Sequence, residues 1–117
     1  IDSWSLGCIF AELLNLVSTA EKGLRRPLFP GRSCFPLSPS SNTCFKDVTD
    51  QLNVIFSVIG TPTREEVQEL DAGSDVRSYL GQLKARPPIS LAERYPHAPT
   101  EALELLRELL LFSAKKR

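Results

Sequence analysis

The stretch that decides the fold is IDSWSLGCIFAELL, at residues 1–14. Its spacing predicts a helix with two apolar stripes on nearly opposite faces, and Ser5 and Glu12 leave only a narrow polar seam. The first stripe consists of Leu6, Ile9, Phe10, Leu13, Leu14 and Val17, and the second of Trp4, Cys8 and Ala11. A helix that is apolar on almost every side needs other elements around it. We therefore expect it to lie inside a larger helical protein.

The rest of the chain also has the patterns of helices. Thr63 and Ser90 each begin a capping-box pattern, with a glutamate three residues later, and each predicts the start of a short helix. Gly60 is expected to end the helix before it. The helices predicted after the first one run from 49 or 50 to 59, from 64 to about 70, over 75–84 and over 100–112, and the second capping-box pattern, at 90–93, lies between the last two. The sequence therefore predicts an all-α protein.

Residues 18–48 are predicted to form a flexible loop, because prolines, glycines and serines recur in this range. Such a length exceeds the ~12–15 residues usual for an irregular segment of a compact domain. Ser38 and the following proline match the minimal serine-proline phosphorylation site, although the same pair also suits a simple turn. Cys34 and Cys44 lie close enough in sequence to form a disulfide, but reduced thiols are the expected state in a cytosolic chain.

Composition excludes several classes of protein. The chain has 14 basic and 14 acidic residues, so it carries no net charge that would favour nucleic acid or an anionic membrane. Its apolar runs stay well below the roughly 18 residues of a membrane span. The three cysteines do not have the spacing of a zinc site. We expect a cytoplasmic protein, with the nucleus as a second compartment.

Several motifs are similar to those of one enzyme family. The first helix resembles the αF signature of eukaryotic protein kinases, Asp-x-Trp-Ser-x-Gly-Cys-Ile-x-Ala-Glu-Leu. Further motifs follow in the order found in MAP kinases: RPLFPG at 26–31, DQL at 50–52, IGTP at 59–62 and KKR at 115–117. The resemblance implies that residues 1–117 are an incomplete kinase domain, namely the C-terminal portion of the large lobe, with αF, αG-like and αH-like helices. It also implies a MAP-kinase-type insert at 62–95 and an insertion at 32–48 as the main departure from the family.

The resemblance assigns structural roles to four residues. Asp2 would accept backbone amides of the catalytic loop, although an acid at a helix N-terminus is also favoured by the helix dipole alone. Arg117 would pair with the glutamate that ends the activation segment, and the alternative is a solvated basic tail at 115–117. Trp4 is expected in the core. Gly7 is expected to permit the close approach of another backbone, since glycine otherwise costs about 1 kcal/mol inside a helix.

The sequence contains no residues that would hold a phosphate, a metal ion or a catalytic base. The Gly-rich loop, Val-Ala-x-Lys, His-Arg-Asp and Asp-Phe-Gly motifs of kinases are all absent, so we expect no catalytic, cofactor-binding or metal-binding residue in these 117 positions. By resemblance, a longer parent would use ATP and Mg²⁺ to phosphorylate serine or threonine of protein substrates under upstream kinases. The fragment would bind neither cofactor, and neither nucleic acid nor membrane is an expected partner. The alternative is a truncated, non-catalytic helical interaction module or pseudokinase remnant.

Overall fold

The computed structural model of the chain describes residues 2–18, 26–30 and 51–117. Regular secondary structure within these ranges consists of six α-helices, and no strand occurs among them. The helices are α1 (Asp2–Ser18), α2 (Gln51–Ile59), α3 (Arg64–Gln68), α4 (Ser74–Gln82), α5 (Leu91–Arg94) and α6 (Thr100–Leu109). The all-α prediction is therefore confirmed.

The residues that the sequence predicts to begin or end helices do so in the structure. Gly60 follows α2 with a φ of 86°, a left-handed conformation that suits glycine. Thr63 caps α3: its hydroxyl accepts the Glu66 amide at 3.2 Å, and its own amide donates to the Glu66 carboxylate at 3.0 Å. The Ser90 hydroxyl accepts the amide of Glu93 at 3.3 Å at the start of α5, and this is one of the two hydrogen bonds of the predicted capping box. These local hydrogen bonds satisfy amides at helix N-termini that have no partner inside the helix.

Two helices end earlier than their apolar patterns predict. The predicted helix to residue 84 stops at Gln82, because Leu83 turns into an extended conformation with a ψ of 137°. The predicted helix to residue 112 stops at Leu109, because Leu110 leaves helical geometry and acts as the C-cap. Phe112 therefore lies beyond α6, where its ring contacts that of Phe56 at a centroid distance of 6.0 Å. Both predicted C-terminal ends were therefore wrong.

Two hydrophobic clusters hold the described helices together. The first cluster joins α1, residues 26–30, α5 and α6, and the second joins α2, α3 and α4. Ile59, at the end of α2, packs against both. The fully or nearly buried members of the first cluster are Ala11, Leu14, Leu28, Leu91, Tyr95, Leu103, Leu106 and Leu110, and those of the second are Phe56, Val67 and Leu80.

Only one face of α1 is covered by the described residues. Ala11 and Leu14 are 0% and 6% exposed, so Leu14 belongs to the covered face and not to the first apolar stripe, where its spacing placed it. The opposite face keeps 51–67% of each large side chain exposed. We call this face the uncovered stripe; it consists of Leu6, Ile9, Leu13, Leu16 and Val17. The helix therefore has the two-faced apolar character that its sequence predicts, with one face left open.

Candidate functional site

Three side chains from distant parts of the chain meet at the start of α1. The ring of Phe29 stacks on Trp4 with a centroid distance of 5.5 Å and an interplanar angle of 13°. The guanidinium carbon of Arg117 lies over the same indole, 5.6 Å from its centroid. A guanidinium at this distance from tryptophan gains about 0.5–2 kcal/mol by cation–π attraction. We call this arrangement of Phe29, Trp4 and Arg117 the Trp4 stack.

The end of the chain is docked onto the helices. Lys116 forms an ion pair with Glu66 at 3.5 Å, and its amide donates to the carbonyl of Ser113 at 3.1 Å in a tight turn. This turn sends the chain back toward α3 and α1, where Arg117 is half-buried, whereas the side chain of Lys116 stays 56% exposed beside Glu66. The alternative of a solvated basic tail at 115–117 therefore describes Lys115 and Lys116, which are exposed, but not Arg117.

The guanidinium of Arg117 is only partly satisfied. Its Nε atom is buried, and it has no hydrogen-bond partner among the described residues. An arginine carries five N–H donors and cannot lose its charge in a protein. The planar fork of guanidinium donors is suited to an acceptor with two oxygens, such as a carboxylate.

Residues 26–30, which carry Phe29, are fixed to α1 and α2. Leu28 is buried in the first cluster, and polar side chains hold the backbone on both sides of it. Three hydrogen bonds do this: Asn15 Nδ2 to the Arg26 carbonyl at 3.0 Å, the Leu28 amide to Glu12 Oε1 at 3.2 Å, and Gln51 Nε2 to the Phe29 carbonyl at 3.4 Å. The segment is therefore part of the packed structure, and the ring of Phe29 is presented to Trp4 by a fixed backbone.

Asn15 is a functional residue that sequence reasoning missed. It is 2% exposed and lies on the covered face of α1, where it donates to the backbone of residue 26. Its spacing could have indicated that it is buried, because Asn15 lies seven residues after Cys8 and four after Ala11 and so falls in the same stripe. A buried amide needs partners, and this one finds a carbonyl in the irregular segment.

Gly7 permits a close approach, but of side chains where we expected a backbone. A Cβ atom at this position would lie 2.9 Å from Cδ2 of Leu110 and 3.0 Å from Cβ of Leu109. Real Cβ atoms almost never come this close to another carbon, so a larger residue would push α6 away. Gly7 therefore sets the distance between α1 and the end of α6.

Asp2 lies in the first turn of α1 and is exposed. Its carboxylate makes no hydrogen bond or ion pair within the described ranges, so it is placed to accept donors from outside them. The helix dipole also favours an acid at this position, and the two roles are compatible. The predicted phosphorylation site Ser38, the Cys34–Cys44 pair and the insertion at 32–48 all lie outside the described residues.

The remaining titratable groups in the described ranges do not form a reactive site. Burial, reinforced by the nearby Glu12 carboxylate, raises the pKa of the Cys8 thiol, which keeps it protonated and poorly nucleophilic. Burial also raises the pKa of Tyr95, whose side chain is fully buried. No group of three metal-ligating side chains occurs in these ranges, and none of the described helices is both long and apolar enough to span a membrane.

A cleft of about 250 Å³ opens beside the predicted insert at 62–95. Its walls come from the end of α2, the turn at Gly60, residues 88–91 and the end of α6. Most of the lining side chains are apolar, and Glu66 and Arg107 add one charge of each sign. The cleft lies in the region that the sequence resemblance marks as a partner surface.

Comparison with known proteins gives one consistent result. No protein-family model matches the chain. It is 35% identical over all 117 residues to mitogen-activated protein kinase 9 of Arabidopsis thaliana, 36% identical to mitogen-activated protein kinase 3 of Oryza sativa subsp. japonica, and 35% identical to mitogen-activated protein kinase 10 of Arabidopsis thaliana. The chain spans only 18–25% of the length of these relatives. Along its whole length, the chain is therefore similar to a segment of MAP kinases.

Proposed function

We propose that this chain is the structural platform of the large lobe in a MAP-kinase-like serine/threonine kinase. The complete protein would use ATP and Mg²⁺ to transfer the γ-phosphoryl group to serine or threonine of protein substrates. The observation that carries the proposal is the similarity to MAP kinases, which extends over all 117 residues without loss at either end. The platform role follows from the sequence, which contains none of the kinase motifs that hold nucleotide or metal.

In this proposal, Asp2 supports the catalytic loop of the complete kinase. Its exposed carboxylate at the start of α1 would accept backbone amides from that loop, and charge-assisted hydrogen bonds of this kind contribute about 1.5–3 kcal/mol each. The covered face of α1 anchors the helix on α6, so the carboxylate sits on a rigid support. A rigid support matters because catalysis depends on the exact placement of the groups that contact substrate.

Arg117 would pair with the glutamate that ends the activation segment. Support comes from its position over Trp4 and from its buried Nε atom, which lacks an acceptor within the described residues. A bidentate carboxylate would satisfy the guanidinium and tie the activation segment to the platform. The loss of this contact should therefore affect the binding of the protein substrate more than the binding of ATP.

The region at 62–95 would contact protein partners, such as substrates or upstream kinases. Support comes from the cleft beside it, whose apolar lining, with one acidic and one basic side chain, suits a peptide side chain better than a metal ion or a phosphate. The proposal includes residues 86–90, which are exposed and lie between α4 and α5.

A chimera tests the platform role. The matching stretch of the Oryza sativa mitogen-activated protein kinase 3 is replaced by these 117 residues, and phosphorylation of a protein substrate is measured with MgATP. We expect activity in the chimera and a loss of roughly tenfold or more on Asp2→Ala, since one or two charge-assisted bonds disappear. Asp75→Ala is the matched control, because Asp75 is also an exposed acid in the first turn of a helix. A folded chimera that binds ATP but does not phosphorylate would refute the proposal.

The chain by itself should neither bind ATP nor transfer phosphate. Isothermal titration calorimetry with MgATP and a radiolabel transfer assay measure the two properties separately. Micromolar binding, or transfer above that of a heat-treated sample, would contradict the assignment of nucleotide binding to other parts of the protein. The activity of the chimera likewise separates the kinase proposal from the alternative of a non-catalytic interaction module.

A further inference from the structure

We propose that Phe29 is a positioning residue that fixes Arg117 for its carboxylate partner by stacking on Trp4. The inference rests on the proposed function, since it assigns a purpose to the orientation of Arg117. It adds a residue that touches neither the arginine's partner nor the reacting atoms. The irregular segment 26–30 would thereby contribute to a site formed by the two ends of the described chain.

The geometry supports an indirect role. Trp4 is only half-buried, and it lies near the start of α1, so part of its indole is not held by the first cluster. The nearly parallel ring of Phe29, 5.5 Å away, covers the indole and limits that movement. Because Arg117 lies over this same indole, fixing the ring also fixes the surface on which the guanidinium rests.

Phe29 is itself fixed more firmly than a surface aromatic residue would be. Pro27 and Pro30 flank the Leu28–Phe29 pair and restrict the backbone on each side. Leu28 is buried, its amide is bonded to Glu12, and the Phe29 carbonyl accepts from Gln51. The backbone of residues 26–30 therefore fixes Phe29, Phe29 fixes the ring of Trp4, and that ring supports the guanidinium of Arg117.

Fixing an arginine in advance strengthens the binding of an anion. An arginine side chain loses rotamer entropy when it is held in one orientation. If the Trp4 stack already restricts this side chain, less entropy is lost when a carboxylate binds, and the carboxylate binds more strongly. The buried Nε atom, which has no partner in the described ranges, indicates that the held orientation is not set by a hydrogen bond.

The test uses the 117-residue chain labelled with ¹⁵N at arginine and reads the Nε–H resonance of Arg117, assigned by its loss in Arg117→Lys. A proton over an indole ring is shifted by the ring current, so this resonance reports the stack directly. Phe29→Leu and Phe29→Met remove the aromatic ring, and Phe29→Tyr keeps it. Phe112→Leu is the matched control, because it removes a ring from the Phe56–Phe112 contact in the other cluster. Far-UV circular dichroism verifies the helix content of each variant.

We expect the resonance of Arg117 to move toward that of a free arginine in Phe29→Leu and Phe29→Met, and to stay in place in Phe29→Tyr and Phe112→Leu. An unchanged resonance in the two folded, ring-deleted variants would overturn the proposal. Loss of helix in both of them, with Phe112→Leu still folded, would also overturn it, since Phe29 would then serve the fold itself.

Titration with sodium acetate at constant ionic strength, maintained with sodium chloride, separates the inference from the proposed function. Acetate should shift the Arg117 resonance in the unsubstituted chain at a severalfold lower concentration than in Phe29→Leu. Equal responses in the two chains would count against positioning by Phe29. If acetate moved the resonance in neither chain while Phe29→Leu still displaced it, positioning would stand and carboxylate pairing by Arg117 would fail.

Discussion

Leu13 and Leu14 are neighbours in α1 with different surroundings, and alanine at each position separates the covered face from the uncovered stripe. Leu14 is 6% exposed and belongs to the first cluster, whereas Leu13 is 52% exposed. Replacing a buried leucine by alanine costs about 2–5 kcal/mol, because apolar contacts are lost and a cavity remains. A leucine that is half exposed loses roughly 1 kcal/mol or less, since full burial stabilises by only about 1.5–3 kcal/mol.

The assay is urea denaturation of the 117-residue chain, followed by far-UV circular dichroism. We expect Leu14→Ala to lower the free energy of unfolding several times more than Leu13→Ala does. Leu105 and Leu106 provide a matched pair on α6, because they are 48% and 0% exposed. Leu106→Ala should therefore resemble Leu14→Ala, and Leu105→Ala should resemble Leu13→Ala.

Equal losses at Leu13 and Leu14 would refute the reasoning, because they would mean that the uncovered stripe is packed in solution. Such a result would call for a test of whether the unfolding midpoint depends on protein concentration, as it does when a second copy covers a surface. In the chimera the expectation changes. If elements of the complete lobe lie on the uncovered stripe, Leu13→Ala should become as costly as Leu14→Ala.

Three further predictions concern single sites. Gly7→Ala should destabilise the chain by about 1–3 kcal/mol, because the added Cβ atom would collide with the end of α6. Gly81→Ala should stabilise the chain by up to about 1 kcal/mol, because a Cβ atom at this position in α4 meets open space. Thermal unfolding measures both changes. The pKa of Glu65 is lowered first by a hydrogen bond from the backbone amide of Glu65 itself and second by the Thr63 hydroxyl. The stability that this carboxylate contributes is therefore present above pH 4.5 and is lost as the pH falls. Thr63→Ala should therefore weaken the acid dependence of unfolding, and an unchanged dependence would contradict this cause. Because the pKa of Cys8 is raised, iodoacetamide should modify it much more slowly in the native chain than in urea, as peptide mass spectrometry can show.

The parts of the fold that could be predicted from sequence depend on residues close together in the chain. The capping box at Thr63 and the helix end at Gly60 are examples, because each is determined within about four residues. The C-terminal end of α6 could not be predicted in this way. Leu110, Leu111 and Phe112 continue the apolar pattern, and only the structure shows that Leu110 leaves helical geometry and that Phe112 packs against Phe56.

The candidate site was predicted in part. Trp4 and Arg117 were marked by their resemblance to kinase motifs, but nothing in the sequence indicates that their side chains meet. Asn15 and Phe29 were missed as site residues, because their roles depend on the path of the segment at 26–30. The ion pair between Lys116 and Glu66 was missed for the same reason. Such contacts join residues that are far apart in the chain, and local patterns do not encode them.

The Trp4 stack also depends on how α6 meets α1. The end of α6 rests on Gly7, so the distance between the two helices is fixed there by the absence of a side chain. The chain then turns at Ser113 and returns to place Arg117 over Trp4, which precedes Gly7 by about one helical turn. Gly7, which contacts the end of α6, and Trp4, which contacts Arg117, therefore lie on adjacent turns of α1. We therefore expect a side chain at position 7 that displaces α6 to move Ser113, and with it Arg117, away from Trp4.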